Sequence, residues 1–319
     1  MKIVHISDLH IDAVYKRTNY TRSLQLLEYA VNTGCDHIII SGDLTENSEK
    51  SAFELVRKTL KKFGLLNSDK LSVVIGNHDI FGGVHLAEDL LNFPKKCKAA
   101  DYDNKISGFN TYFREAFQKT SNQDNNHYPF IKEFDEVVLI GLNSISKYSV
   151  YKNPFASNGK IDDRQLAELE YLLDNGDEKF KNKIKIVITH HHFCKEPIEE
   201  SGDSSMWQKI ERQTMKLRNK KSIIKLFVKH DVKMVLHGHL HETTAYNRKG
   251  IKFLNAGGSI LGNKPQEMKI NIINISNNNF QIETRTIPVS TSKISPVKSY
   301  STKTKKFSEP SLMKDISLN

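Results

Sequence analysis

Cysteine is scarce in this chain. Its three copies, Cys35, Cys97 and Cys194, are odd in number and widely spaced, which argues against a disulfide framework or a CxxC metal site. A reducing cytoplasm is the expected compartment. Long hydrophobic runs are also missing: none approaches the roughly 20 residues of a membrane-spanning helix. The chain is 38% hydrophobic and 26% charged, with a mean hydropathy of −0.49. A strand opens at once with Lys2-Ile3-Val4-His5-Ile6. No basic n-region, apolar stretch or small-residue cleavage site precedes it, so no secretory leader is expected. There is no internal repeat.

Acidic residues are the minority, 37 Asp and Glu against 47 Lys and Arg, for a net charge of +10. Part of the excess lies in 205–233, where nine Lys/Arg face only Glu211 and Asp231. Another part lies at the end, where Lys293, Lys298, Lys303, Lys305, Lys306 and Lys314 outnumber Glu309 and Asp315. One implication is attraction of an anionic partner, from a nucleotide up to nucleic acid. The plainer one is a solvated helical face and a loose tail.

At 319 residues the chain can bury a full core, as one large domain or as a domain with a smaller accessory part. Helical spacing appears at 21–33 (Leu24, Leu27, Ala30, Val31), at 48–63 (Ala52, Leu55, Val56, Leu60, Phe63) and at 162–174 (Leu166, Leu169, Leu172, Leu173). Strands are predicted at 36–41, 71–75, 136–142, 184–189 and 233–237, and alternation with helices implies a layered α/β domain with parallel strands. Strands at 251–256, 268–275 and 279–287 are expected to complete the second half of a sheet. The stretch 80–135 reads as less regular, a functional loop region or rim with an amphipathic piece at 109–118. A mostly helical insert is expected over about 194–232. Beyond Pro288 the Ser/Thr/Lys-rich residues 288–319 read as a disordered basic tail.

Five predicted strands end in residues that bind metals: Asp8-Leu9-His10, Gly42-Asp43, Gly76-Asn77-His78-Asp79, His190-His191-His192 and Gly238-His239-Leu240-His241. Taken singly each is weak, because Gly-Asp is a common strand-ending turn and a lone Asp-x-His is frequent. Their force is in conjunction, since strand ends can bring ligands distant in sequence to one place. Two cations roughly 3.5–4 Å apart need a bridging anion, which a carboxylate supplies. Mixed oxygen and nitrogen ligands without thiolate suit Mn, Fe, Zn, Co or Ni rather than Mg or Ca alone. Such a pair would acidify a shared hydroxide for in-line attack on phosphorus, and an imidazole in reach would serve as acid for the leaving oxygen.

These motifs resemble the calcineurin-like metallophosphoesterase superfamily. The resemblance runs from Met1 to about Ile287. It includes Gly159-Lys160-Ile161-Asp162 with Gln165-Leu166, and the stretch Gly250 to Ser259. It implies an αββα fold, a two-sheet sandwich with flanking helices and with metals at the strands' C-terminal edges, formed by residues 1–287. Carried over by position, Asp8 and His10 would bind a first metal, Asp43 would bridge, and Asn77 would bind the second. His190 and His239 would join the second metal and His241 the first. His78 would donate a proton to the leaving group or stabilise the transition state, oriented by Asp79. Phe193-Cys194 stands where many relatives have a proline, which bears on the adjacent pocket.

The compact motifs look most like the bacterial class III cyclic-nucleotide phosphodiesterases. The implied activity is hydrolysis of phosphodiesters of cyclic or small nucleotides, with two divalent ions as cofactors. Asn143, His191, His192 and Trp207 are candidate substrate contacts. Alternatives are a nuclease holding DNA or RNA through the basic segment 205–233, and a phosphomonoesterase or pyrophosphatase on a small metabolite. A scaffold with a vestigial metal site is disfavoured by the complete ligand set.

Overall fold

The computed structural model describes residues 1–12, 17–84, 87–121, 127–194, 215–261 and 266–289. Two mixed sheets face each other, with helices on their outer sides. The first sheet runs β11-β10-β1-β2-β3 and the second β4-β5-β6-β7-β9-β8. Parallel strands β1 (Lys2–Ile6), β2 (His37–Ile40) and β3 (Leu71–Val73) alternate with helices α1 (Arg17–Asn32) and α2 (Lys50–Lys62). In the second sheet β5 (Val137–Gly141), β6 (Ile184–Ile188), β7 (Val232–His237) and β9 (Ile251–Ala256) are parallel. Helices α6 (Asp163–Asn175) and α8 (Lys220–Lys229) cover this sheet's outer face.

The aliphatic runs are continuous because these strands are buried on both faces. Successive side chains point to opposite faces, and the core divides on that rule. Ile184, Ile186 and Ile188 of β6 and Met234 and Leu236 of β7 join the inner core shared with the first sheet. Val187 and Val235 turn outward onto Leu169 and Leu173 of α6 and Ile223, Ile224 and Phe227 of α8. At the start of α6 the Asp162 side chain accepts from Gln165 N at 2.7 Å, capping free N–H groups.

Three expectations change. The stretch 80–135 is more ordered than predicted: it holds α3 (His78–Phe81), α4 (Ala87–Ala99), α5 (Tyr102–Tyr112), a 3-10 turn (Arg114–Phe117) and β4 (Phe130–Glu133). Asp101 caps α5, and the rings of Phe109, Tyr112 and Phe113 pack on Phe53 of α2. The last strands do not complete one sheet. β9 stays in the second sheet, whereas β10 (Glu267–Ser276) and β11 (Asn279–Pro288) form a hairpin that adds antiparallel to β1. A polar edge strand, β8 (Thr243–Arg248), was not foreseen. Between α6 and β6 lies the short α7 (Asp177–Phe180). Of the expected helical insert, the described part contains α8; Trp207, the basic residues 205–214 and residues 290–319 lie outside the described residues. No helix among the described residues is long and apolar enough to cross a membrane.

Candidate metal centre

All five motifs emerge at the C-terminal ends of β1, β2, β3, β6 and β7. Pairing continues past the strands: Asp8 N donates to Gly42 O (3.1 Å) and His10 N to Asp43 O (3.0 Å). On the other sheet Gly238 N donates to His190 O at 3.1 Å. The two sheet edges then join, with His239 N donating to Asp8 Oδ2 (3.1 Å) and His190 Nδ1 to Ser41 O (2.9 Å). The chain must turn sharply here. Asp8, His10, Asp43 and His239 adopt φ values of 55°, 45°, 49° and 73°, a left-handed backbone costing roughly 1–2 kcal/mol for most side chains. Strain gathered at one point is characteristic of a site where side-chain direction matters more than local stability. Gly238 allows a close approach of the two sheet edges, since a Cβ there would overlap Ser7 Oγ and Asp8 Oδ2.

The side chains fall into two adjoining groups. Donor atoms of Asp8, His10 and His241 lie within 4.8 Å of one another, as do those of Asp43, His190 and His239. Asn77 Oδ1 reaches the second group, 3.0 Å from His190 Nε2. Asp43 Oδ2 faces both, at 3.2 Å from His190 Nε2 and 3.9 Å from His10 Nε2.

The outward contacts of the histidines set their tautomers, because a neutral imidazole has one N–H and one lone pair. His190 gives its Nδ1 proton to Ser41 O, leaving Nε2 inward. His239 gives its Nε2 proton to Ser157 O at 3.1 Å, leaving Nδ1 inward, 3.1 Å from His190 Nε2. His10 Nδ1 faces Glu46 Oε2 at 2.8 Å, and its Nε2 meets His241 Nε2 at 3.3 Å. Ring nitrogens converging with carboxylates among them, three of the rings held from outside by Ser41 O, Ser157 O and Glu46, suit a cation.

Electrostatics point the same way. Burial works against charge on His10, yet Asp8, Glu46 and Asp43 hold its pKa up at about 10. Burial likewise opposes the His190 cation, and Asp43, Asp8 and the Ser41 carbonyl raise it to about 9. Asp43 is held well below the carboxylate range: burial resists, but His190, His78 and His10 prevail. His241 is pushed down to about 4 by burial and by His10. Protons on two buried imidazoles thus serve carboxylates that divalent ions could serve instead, so the residues fit the metals.

His78 stands beside the first group and is partly open to solvent, its side chain 21% exposed against 44% for His241. Its ring lies edge-on to His10, centroids 4.7 Å apart, and its main-chain N donates to Asp43 Oδ1 at 2.8 Å. Asp79 lies elsewhere than its expected role of orienting this ring requires. Its carboxylate accepts from Leu44 N, Thr45 N and Oγ1, and Gly76 N. Burial and the neighbouring Asp43 raise it to about 7. His78 Nδ1 instead donates to Glu46 O at 3.2 Å, with Glu46 Oε1 at 3.9 Å. Sequence reasoning missed Glu46, for which the only signal is its place three residues after Asp43. It also missed Ser157, whose main-chain oxygen leaves no mark in a sequence.

The expected substrate contacts fare differently. His191 is enclosed: Nδ1 meets Ser144 Oγ at 2.8 Å and Nε2 donates to Ser157 O at 3.0 Å. His192 is only 8% exposed. Both rings are packed inside the fold. Asn143 anchors loops, with Oδ1 accepting from Ile145 N, Nδ2 donating to Tyr102 Oη and N to Gln165 Oε1.

Comparison with known proteins gives this architecture relatives. The calcineurin-like phosphoesterase family profile matches residues 1–243. A probable cyclic nucleotide phosphodiesterase of Ruthia magnifica subsp. Calyptogena magnifica is 24% identical over 262 residues, 81% of this chain and 86% of the relative. A probable glycerophosphodiester phosphodiesterase GpdQ of Arcobacter nitrofigilis is 25% identical over 257 residues, 78% of this chain and 75% of the relative. Among solved structures, a dimetal phosphatase from Danio rerio superposes with a TM-score of 0.56 at 13% identity. That match covers 91% of this chain and 99% of the other, and is a likeness of fold.

Proposed function

The chain belongs to the calcineurin-like phosphoesterase family and is a metal-dependent hydrolase of phosphoric esters, and from that premise we propose that it cleaves small nucleotide-type phosphodiesters, cyclic nucleotides first among them. The observation that carries the chemistry is the convergence of inward donor atoms with outward partners already fixed. The diester preference draws support from the two relatives, both named as phosphodiesterases.

In this reading Asp8, His10 and His241 hold one divalent ion, Asn77, His190 and His239 hold a second, and Asp43 serves both. Bound ions would supply Lewis acidity, neutralising charge at phosphorus and acidifying water. The polypeptide does the rest. Ser41, Ser157 and Glu46 keep the imidazoles turned to the centre. Glu46 O takes the Nδ1 proton of His78, so Nε2 is the atom that passes a proton to the leaving oxygen. Asp79, bonded to Leu44, Thr45 and Gly76, fixes the loops that carry Asp43 and His78. Residues 1–287 form the catalytic unit.

The test is a rate comparison with Mn2+, Fe2+, Zn2+, Co2+ and Ni2+ in turn. Bis-p-nitrophenyl phosphate and 3′,5′-cyclic AMP should be cleaved far faster than p-nitrophenyl phosphate. Equal or reversed rates would make the chain a phosphomonoesterase. Strongly salt-dependent cleavage of DNA or RNA, with cyclic nucleotides untouched, would make it a nuclease.

A further inference from the structure

A second convergence of metal-binding donors lies away from the strand ends, on the helical layer of the second sheet. Glu170 and Asp174 are four residues apart on α6, so both carboxylates leave one face of the helix. His230 lies opposite them, capping the C-terminal end of α8. One oxygen of each carboxylate and a ring nitrogen of His230 lie within 4.8 Å of one another. The histidine distinguishes this cluster from a surface ion pair. Its side chain is only 7% exposed, and its Nε2 faces Asp174 Oδ1 at 3.8 Å, beyond hydrogen-bond reach. That buried nitrogen has no hydrogen-bond partner, an unfavourable state for a polar atom shielded from water. Burial also lowers the pKa of this imidazole despite the carboxylates beside it, so the ring is a neutral nitrogen base.

We propose that Glu170, Asp174 and His230 form a site for a single zinc-class divalent ion that ties α6 to α8. One imidazole and two carboxylates suit Zn2+, Co2+ or Ni2+ better than Mg2+ or Ca2+. Donors at about 2.0–2.2 Å from such an ion would need only a small closure of the gap between His230 and Asp174. The Lys229 ammonium now serves the carboxylates, 2.6 Å from Glu170 Oε1 and 3.5 Å from Asp174 Oδ2. That contact is solvent-exposed and therefore weakly held, and it leaves His230 Nε2 without a partner. An ion would displace the ammonium and satisfy all three groups. The site adjoins the start of β7, whose other end leads to His239, about 20 Å away for a six-residue strand. The ion therefore fastens the helical layer and takes no part in hydrolysis.

The test counts ions in the full chain equilibrated with buffered free Zn2+. Wild type should hold one more zinc per chain than Asp174→Asn or His230→Ala, whatever number the strand-end centre binds. Lys229→Met, which removes the competing ammonium, should bind the extra ion more tightly. Asp174 is half exposed, so Asp174→Asn reads out the site if His230→Ala fails to fold, and its phosphoesterase rate should equal wild type. Equal zinc content in wild type and Asp174→Asn would overturn the proposal. A phosphoesterase without diester preference would leave it standing.

Discussion

Truncating His78 to alanine separates the proton donor from the metal ligands. The backbone bond from residue 78 N to Asp43 Oδ1, 2.8 Å long, survives the substitution, so Asp43 keeps its position. The lost imidazole is 21% exposed and contacts the His10 ring and Glu46 O, so truncation should cost about 1 kcal/mol of stability. Metal content should be unchanged. Turnover should fall by the worth of a positioned general acid, about 10²–10⁴-fold, equivalent to roughly 3–5 kcal/mol of barrier. The loss should depend on the leaving group. It should be large for 3′,5′-cyclic AMP, whose departing alkoxide needs a proton, and small for bis-p-nitrophenyl phosphate, whose phenolate leaves unaided. The assay is kcat/KM for both esters with Mn2+, beside metal analysis of the same samples. Full activity on both esters, or equal losses on both, would refute the proton-donor assignment.

Other expectations follow from the same geometry. His10 and His190, with pKa values of about 10 and about 9, are charged at pH 7.5 and must be neutral to bind metal, so loading the centre should release about two protons per chain. Calorimetry in buffers of different ionisation enthalpy measures this, and release near zero would mean that both rings are already neutral before the ions bind. Gly238→Ala should cost about 1–3 kcal/mol and weaken metal binding, since the new methyl meets Asp8 Oδ2 and Ser7 Oγ; unaltered thermal stability would speak against that packing. Burial pushes His5 and His37 down to about 3 in the fold. As pH falls below 6.5 only the unfolded chain takes up these protons, so their contribution is complete above 6.5 and erodes between 6.5 and 3. Each should cost about 2–3 kcal/mol at pH 4.5. Urea unfolding across that range checks the slope, and His37→Gln should flatten it.

Much of the fold could be read in the sequence because the central strands are buried on both faces. Runs such as Ile38-Ile39-Ile40 and Ile184 to Ile188 are short, rich in β-branched residues and bounded by turn residues, which favours a buried strand over a helix. β8 escaped because an exposed edge strand, Thr-Thr-Ala-Tyr-Asn-Arg, carries no apolar run. The β10–β11 hairpin was recognised as strands but not as partners of β1, since sheet membership is decided by packing across the core rather than by local pattern. α5 was blurred by Gly108, Asn104 and Asn110, which weaken a helical signal. At the site, residues on strand ends were legible because Asp, His and Asn after aliphatic runs are conspicuous. Their supports were not. The Ser41 and Ser157 carbonyls could be any residue's, and Glu46 gains its meaning only when β1 and β2 bring His10 beside it.

Metal content of Asp43→Asn, measured with its rate on bis-p-nitrophenyl phosphate, tests the shared centre most directly. Asp43 Oδ2 faces both His10 and His190. A unit charge pair at about 4 Å is worth about 4 kcal/mol at an effective dielectric of 20, so the loss should be about a thousandfold in affinity. The expected result is an enzyme that binds both strand-end ions weakly and hydrolyses the diester at a small fraction of the wild-type rate. Retention of two tightly held ions with undiminished turnover would contradict it.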